Sequence, residues 1–235
     1  MKKLKRRRYP AWFRNNVLAP WDHLWAGTLP RYVRDRYIVR FKIRPFQHID
    51  GWLTVTEAAA LYRTAAALPP GGVVVEIGSW KGRSTYCLAK GLPAGGVVYA
   101  IDPFDASGEA GSAHTYQKRQ GETPLLAQFE QRMTALGVMA QIRPLAGYSH
   151  QFVGQIPHID FLFLDGDHSV AGTTADFEQY TPYLAPGGYL ALHDYGPDKA
   201  EMGPVWVVEN LVRPSGVYEH VGTFDSLWLG RKKGS

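Results

Sequence analysis

The sequence predicts an α/β fold in which a mostly parallel sheet is covered by helices on both faces. Three observations predict it. Short apolar runs rich in β-branched residues recur from residue 73 onward, helix-forming stretches separate them, and two strand-like runs joined by a tight turn close the sequence. Strands that alternate with helices form parallel sheets, because each helix carries the chain back to where the next strand starts. We therefore expect a doubly wound sheet with a C-terminal antiparallel hairpin.

The elements follow one another in a regular order. An alanine-rich helix at residues 56–68 ends at a Pro-Pro-Gly-Gly turn. The predicted parallel strands cover residues 73–77, 97–101, 140–145, 159–164 and 188–193, with helices predicted at 84–92, 123–136 and 173–184. Residues 218–223 and 226–229 predict the terminal hairpin, which brings the sheet to seven strands.

Charge divides the 235 residues into two regions. Residues 1–50 hold 13 Lys/Arg and 3 Asp/Glu, whereas residues 51–235 hold 13 Lys/Arg and 18 Asp/Glu. We expect a basic, aromatic extension at 1–50 and one catalytic domain at 51–235. The extension suits an anionic membrane surface or nucleic acid, but we favour the alternative that it packs on its own domain or on a partner subunit of a homo-oligomer. The acidic body counts against nucleic acid.

Cysteine and hydropathy limit the setting of the protein. Cys87 is the single cysteine of the sequence, so an internal disulfide and a thiolate-rich metal site are excluded. No apolar run is long enough to span a bilayer, and the basic opening lacks the apolar stretch of a signal peptide. We expect a cytoplasmic protein, with residues 1–50 able to contact the inner membrane face.

A glycine-bearing loop follows the first predicted strand. Glu76 precedes Gly78, and Ser79, Gly82 and Ser84 follow. The glycines allow a sharp turn close to a ligand, and the next helix offers free N–H groups. The spacing is G-x-x-x-G, whereas dinucleotide-binding loops usually read G-x-G-x-x-G. An acid at Glu76 suits a cationic amino group and would repel a pyrophosphate. The alternative is a carboxylate that caps its own loop.

Two further strand ends complete the expected ligand crevice. Asp102 ends the second strand, where a carboxylate can accept both hydroxyls of a ribose. Gly147, Tyr148 and Ser149 follow the third strand, where an adenine ring would lie. Tyr148 is expected to stack on that ring and Ser149 to bond an adenine nitrogen or the loop backbone.

Polar residues also follow the fourth and fifth strands. Asp165, Asp167 and His168 come after the fourth, and His193 and Asp194 after the fifth. Because the carboxyl ends of parallel strands share one edge of the sheet, these groups are expected to meet beside the cofactor. Asp165 is expected to contact the cofactor as well.

These motifs resemble, in their order, those of class I S-adenosylmethionine-dependent methyltransferases. Among them, the resemblance is to the bacterial group of macrocin-type O-methyltransferases and cephalosporin-hydroxylase-like proteins, and it covers about residues 55–230. It implies a Rossmann-like fold, S-adenosylmethionine as the cofactor, and transfer of a methyl group to a hydroxyl of a small molecule such as a sugar or natural product.

Two ways of removing the hydroxyl proton remain open. In the first, Asp165, His193 and Asp194 hold Mg²⁺ or another divalent cation and Asp167 acts as the base. The resemblance implies a pair of aspartates in related enzymes, and this chain has His193 in place of the first. In the second, His168 or His193 is a metal-free general base.

Other functions stay open at this point. The glycine spacing and Glu76 count against a nicotinamide-dependent oxidoreductase. A catalytically degenerate cofactor-binding partner and an N-methyltransferase remain alternatives. The stretches 103–121 and 196–206 are expected to form loops over the acceptor, with Trp80 and Trp206 as candidate walls.

Overall fold

A computed structural model describes residues 30–107 and 113–234 of the chain. Seven strands form one sheet in the order β3-β2-β1-β4-β5-β7-β6. Their bounds are Val73–Ile77 (β1), Val97–Asp102 (β2), Ile142–Ala146 (β3), Ile159–Leu164 (β4), Leu184–Leu192 (β5), Tyr218–Phe224 (β6) and Leu227–Lys232 (β7). The first five strands are parallel, and β7 pairs antiparallel with both β5 and β6. The predicted doubly wound sheet and its terminal hairpin are confirmed.

Helices cover both faces of this sheet. Their bounds are Arg31–Phe41 (α1), Val55–Ala66 (α2), Arg83–Gly91 (α3), Ala113–Gln120 (α4), Leu125–Ala135 (α5), Val170–Tyr180 (α6) and Gly203–Val207 (α7), the last extended by a π-helical turn at Val208–Val212 and by Arg213–Ser215. Helices α4 and α7 lie where we expected loops. Strand β5 begins four residues before its predicted start, because the Pro186–Gly188 segment continues the strand.

Alternation along the strands divides the core into two layers. Val74 faces the layer formed with α2, α3 and α5, whereas Val75 and Ile77 face the layer formed with α6 and α7. Both faces of β1 are therefore buried, as expected for a central parallel strand. From β1 the strand order runs to β2 and β3 on one side, whereas β4 and β5 lie on the other side. This switch opens a crevice at the carboxyl ends of β1 and β4.

Part of the expected extension packs into the same core. Ile38, Val39, Ile43 and Phe46 are buried in the cluster that contains α2. Asp35 of α1 forms an ion pair with Arg63 of α2. Of the segment 1–50, residues 1–29 lie outside the described residues, so the expectation of membrane contact stays a prediction. In the described part of the chain, no helix combines the length and apolar character needed to cross a membrane.

Candidate active site

A cavity of about 920 Å³ opens at the carboxyl ends of the parallel strands. Twelve of the predicted site residues line it: Gly78, Ser79, Ser84, Asp102, Gly147, Tyr148, Ser149, Asp165, Asp167, His168, His193 and Asp194. Glu76 and Gly82 lie behind the wall. The strand ends thus bring the two predicted groups of residues, the glycine-loop side and the polar cluster, to one cavity.

The glycine loop passes very close to the end of β4. Gly78 has a φ of +89°, and a Cβ there would lie 2.0 Å from the backbone oxygen of Asp165. No side chain fits in that space. Gly82, with a φ of +84°, begins α3 against Phe129 and Met133, so it serves the packing of α3 on α5. The two predicted glycines therefore have different roles.

Asp102 braces this loop from the end of β2. Its Oδ2 accepts the backbone N–H groups of Ser79 at 3.0 Å and Trp80 at 2.8 Å, and its Oδ1 accepts that of Phe104 at 2.6 Å. Burial raises the pKa of Asp102, although these N–H groups oppose the rise. A carboxylate can accept about four hydrogen bonds, so capacity remains for a ligand hydroxyl.

Glu76 is completely buried beneath the loop. Its Oε2 accepts the hydroxyl of Ser79 at 2.8 Å and the hydroxyl of Thr85, while its Oε1 is buried without a hydrogen-bond partner. Burial raises the pKa of Glu76 to about 7, against the opposing effect of these hydroxyls. Oε2 thus caps its own loop, as the alternative interpretation expects. Contact with a ligand amino group stays a prediction.

The end of β3 carries the expected adenine side. Tyr148 is half exposed, and the Ser149 hydroxyl donates to Asp176 of α6 at 2.5 Å. Burial raises the pKa of Asp176 to about 6. The sequence analysis missed Asp176, although it lines the cavity. Its position in the first turn of a predicted helix gave no sign that it faces the cavity.

A cluster of charged side chains occupies the ends of β4 and β5. His193 Nδ1 lies 3.0 Å from Asp165 Oδ1, and His168 Nε2 lies 3.0 Å from Asp194 Oδ2. Lys199 forms an ion pair with Asp194. Four of the five residues predicted at these strand ends, all except Asp167, are therefore linked by contacts.

The cluster favours charged forms of its members. Burial alone would lower the pKa of His168, but Asp165 and Asp194 raise it to about 11. Burial alone would also lower the pKa of His193, but Asp165 outweighs this effect and raises that pKa well above its ordinary value. Burial would raise the pKa of Asp194, yet the two histidines and Lys199 hold it well below its usual range. The carboxylates therefore favour the protonated form of both imidazoles, and a cation bound here would displace the extra proton of His168.

Glu57 is the residue that the sequence analysis missed most clearly. It is fully buried, and its Oε2 lies 3.4 Å from His193 Nε2. It also closes a capping box with Thr54 at the start of α2 and accepts the backbone N–H and hydroxyl of Ser226 at 2.9 and 2.7 Å. Burial favours a raised pKa, but His193 and these hydrogen bonds lower the pKa of Glu57 to about 2. The Thr54-x-x-Glu57 spacing signals a helix start, not an inward carboxylate.

Three groups of the cluster are suitably placed for a cation. Among the described residues, one ligand atom each from Asp165, His168 and Asp194 lies within 4.8 Å of the other two. His168 thus takes the third place that the sequence analysis gave to His193, whose Nε2 faces Glu57. Two carboxylates and one imidazole suit Mn²⁺, Fe²⁺ or Zn²⁺ as well as Mg²⁺. Asp167 Oδ1 accepts the backbone N–H of Ser169 at 2.7 Å and closes the turn.

The two long connections reach the cavity in part. Tyr116 of α4 lines it, as do Lys199 and Met202 before α7. Trp80 lines the cavity as expected, whereas Trp206 lies away from it.

Comparison with known proteins adds the following findings. A family model described as a methyltransferase domain matches residues 75–195, just over half of the chain. A solved methyltransferase from Geobacter sulfurreducens is 17% identical, covers 94% of this chain and 96% of its own, and has a TM-score of 0.56. An O-methyltransferase from Bacillus cereus in complex with SAH is 15% identical, covers 92% of this chain and 97% of its own, and has a TM-score of 0.57. The O-methyltransferase TomG from Streptomyces achromogenes, involved in tomaymycin synthesis and in complex with SAM, is 16% identical, covers 96% of this chain and 100% of its own, and has a TM-score of 0.53. At these identities the likeness concerns the fold.

Proposed function

This chain belongs to the methyltransferase-domain family, and from that premise we propose that it transfers the methyl group of S-adenosylmethionine to a hydroxyl oxygen of a small molecule. One observation carries the proposal. The braced glycine loop and the charged cluster at the ends of β4 and β5 border the same cavity. This arrangement supports a cofactor bound at the loop beside a group that takes up the acceptor's proton.

The cavity has the size and charge that this cofactor needs. Its volume of about 920 Å³ lies within the range of about 300–1,000 Å³ for pockets that bury small ligands. Asp102, Asp165 and Asp176 line it and favour a ligand that carries positive charge. We expect Asp102 to accept a ribose hydroxyl and the half-exposed ring of Tyr148 to stack on adenine. When bound, S-adenosylmethionine supplies a methyl group activated by its sulfonium charge.

The acceptor hydroxyl belongs beside the charged cluster. There the protein must hold the oxygen in line with the methyl group and take up its proton. We favour a route in which Asp165, His168 and Asp194 would hold a divalent cation, which would lower the pKa of the hydroxyl, and Asp167 takes up the proton. In the other route no cation is bound, and His168 or His193 releases its extra proton to solvent before it accepts the hydroxyl proton.

Chelation distinguishes the two routes. We expect dialysis against EDTA to abolish methyl transfer and Mn²⁺ or Mg²⁺ to restore it, while an Asp165→Asn variant stays inactive with either ion. Thermal unfolding in the same buffers provides a readout that does not depend on turnover, because a bound cation raises the midpoint. Full activity after EDTA treatment would favour the metal-free route.

Ligand-dependent stability tests the proposed function itself. We expect S-adenosylmethionine to raise the unfolding midpoint and NAD to leave it unchanged, because only a ligand of the native state stabilises it. Asp102→Ala should weaken S-adenosylmethionine binding by about 1–3 kcal/mol, the usual loss for a buried acceptor. Asp105→Ala is the matched control, since Asp105 lines the same cavity but is exposed. Stabilisation by NAD alone would refute the proposal.

A further inference from the structure

Three aromatic rings from distant parts of the chain meet at the cavity. Trp52 precedes α2, Trp80 belongs to the glycine loop, and Tyr116 comes from α4. The ring centroids are 6.5 Å apart for Trp52–Trp80, 5.3 Å for Trp52–Tyr116 and 4.8 Å for Trp80–Tyr116. All three residues line the cavity, and we call them the aromatic wall.

The aromatic wall keeps a large apolar surface open to the cavity. Trp52 is 49% exposed although its ring contacts two others. The Trp52–Tyr116 and Trp80–Tyr116 pairs pack edge to face, so their ring faces are not stacked on one another. Exposed aromatic surface beside a ligand cavity is typical of a binding surface.

The charged groups that border the wall are engaged with one another. Asp50 bonds Lys81 through Oδ2 at 3.3 Å and Arg119 through Oδ1 at 3.4 Å. Lys81 also donates to the backbone oxygen of Arg119, and the Arg119 guanidinium lies 4.6 Å from the Trp52 ring centroid. Because these groups already bond one another, a flat aromatic ring can stack on the wall without displacing their bonds.

The wall is tied to the charged cluster through the segment that carries Trp52. Thr54, two residues later, donates its hydroxyl to Asp225 at 2.7 Å, and its backbone N–H bonds Glu57 at 2.7 Å. Glu57 in turn contacts His193. A ligand ring on the wall and a reacting oxygen near the cluster are therefore held by one connected framework.

We propose that the aromatic wall is the acceptor subsite and that the acceptor is a hydroxylated aromatic compound of the phenol or catechol class. The inference rests on the proposed function. In the transfer, the phenol oxygen forms a bond to the methyl carbon of S-adenosylmethionine. The methyl–sulfur bond breaks with its electron pair going to sulfur, and the phenol proton passes to the charged cluster. The products are an aryl methyl ether and S-adenosylhomocysteine.

Methyl transfer from labelled S-adenosylmethionine to a panel of phenols, catechols and methyl glycosides tests the acceptor class. We expect the aromatic compounds to be methylated and the glycosides not. In Trp52→Ala the KM for the aromatic acceptor should rise about tenfold with kcat changed much less, because a stacking contact is lost in both ground and transition states. Trp52→Phe should recover most of that loss, and the affinity for S-adenosylmethionine should stay unchanged in both variants.

Trp206→Ala is the control, since Trp206 is also partly exposed but lies off the cavity. Calorimetric titration of catechol into the protein saturated with S-adenosylhomocysteine gives a readout without turnover. Methylation of glycosides instead of phenols, or absence of catechol binding to that complex, overturns the inference while the proposed function stands. Failure of S-adenosylmethionine to bind overturns the proposed function as well.

Discussion

Gly78 and Gly71 share a left-handed backbone and differ in what surrounds them. Their φ values are +89° and +80°, yet a Cβ at Gly78 would meet the Asp165 backbone at 2.0 Å and one at Gly71 would meet nothing within 4 Å. Gly71→Ala should therefore lower the free energy of unfolding by about 1–2 kcal/mol, the strain of the left-handed conformation alone. Gly78→Ala should lower it clearly further, because β1 and β4 must separate.

Urea denaturation of both variants measures this difference, and titration with S-adenosylmethionine follows the site. We expect Gly71→Ala to bind the cofactor as the wild type does and Gly78→Ala to lose binding. Equal stabilities for the two variants would show that the loop at Gly78 accommodates a Cβ at no cost in free energy, contrary to the packing described above.

Glu76 makes the stability of the free protein depend on pH. Its pKa rises from 4.5 to about 7 on folding, because burial disfavours the carboxylate. The folded chain therefore holds a proton that the unfolded chain has lost between these values, and stability falls as pH rises from 4.5 through 7. A shift of this size amounts to about 3 kcal/mol.

Glu76→Gln cannot titrate and gives the matched comparison. Between pH 4 and pH 8 the wild type should lose about 3 kcal/mol of unfolding free energy relative to this variant. Denaturant titrations at steps of half a pH unit measure it. Parallel pH profiles for the two proteins would mean that folding leaves the pKa of Glu76 unchanged.

Sequence patterns identified the site residues at strand ends but missed two site residues that lie on helices. Asp102, Asp165 and His193 each follow a strand, so the parallel sheet itself sets their meeting place. Glu57 and Asp176 sit on helices α2 and α6, where their inward direction depends on how each helix rotates against the sheet. That rotation is decided by packing across the whole core and leaves no local sign.

Among the elements, helix α1 is attached to the core partly through an ion pair. Asp35 is almost fully buried, and its partner Arg63 also lies 5.5 Å from the Phe224 ring centroid. Asp35→Ala would remove the buried carboxylate that pairs with Arg63, and we expect a loss of about 2–3 kcal/mol in unfolding free energy. Arg36→Ala, at an exposed position of the same helix, should change stability by no more than about 0.5 kcal/mol.

Chemical denaturation provides the comparison, and Asp35→Asn gives a further control because it keeps an acceptor for Arg63. Its stability should fall between those of the wild type and Asp35→Ala. If Asp35→Ala were as stable as Arg36→Ala, apolar burial of Ile38 and Val39 alone would hold α1 in place.

The helices that escaped prediction have sequences that favour other structures. Gly203-Pro204 at the start of α7 is typical of a turn, and proline is tolerated there because the first helical residues need no backbone donor. Five residues further on, a π-helical turn breaks the 3.6-residue period. In α1, arginines occur on so many positions that no clean apolar stripe emerges, although Ile38 and Val39 are buried.

Across the whole molecule, the family assignment and the sheet were predictable because both depend on order along the chain. The strand sequence, the glycine loop and the polar strand ends follow one another as in class I methyltransferases, and the family match over residues 75–195 confirms that resemblance. The aromatic wall was not predictable as a unit. Its three rings come from positions 52, 80 and 116, and only the closed fold brings them into contact.

The contact between Glu57 and Ser226 has a consequence for the order in which these residues come together during synthesis on the ribosome. Glu57 and Ser226 are 169 positions apart in the sequence, and the Glu57 carboxylate also contacts His193. A nascent polypeptide that has already completed all five parallel strands still lacks the serine that fixes this carboxylate. Full anchoring of the Glu57 carboxylate therefore waits until residue 226 has been synthesised.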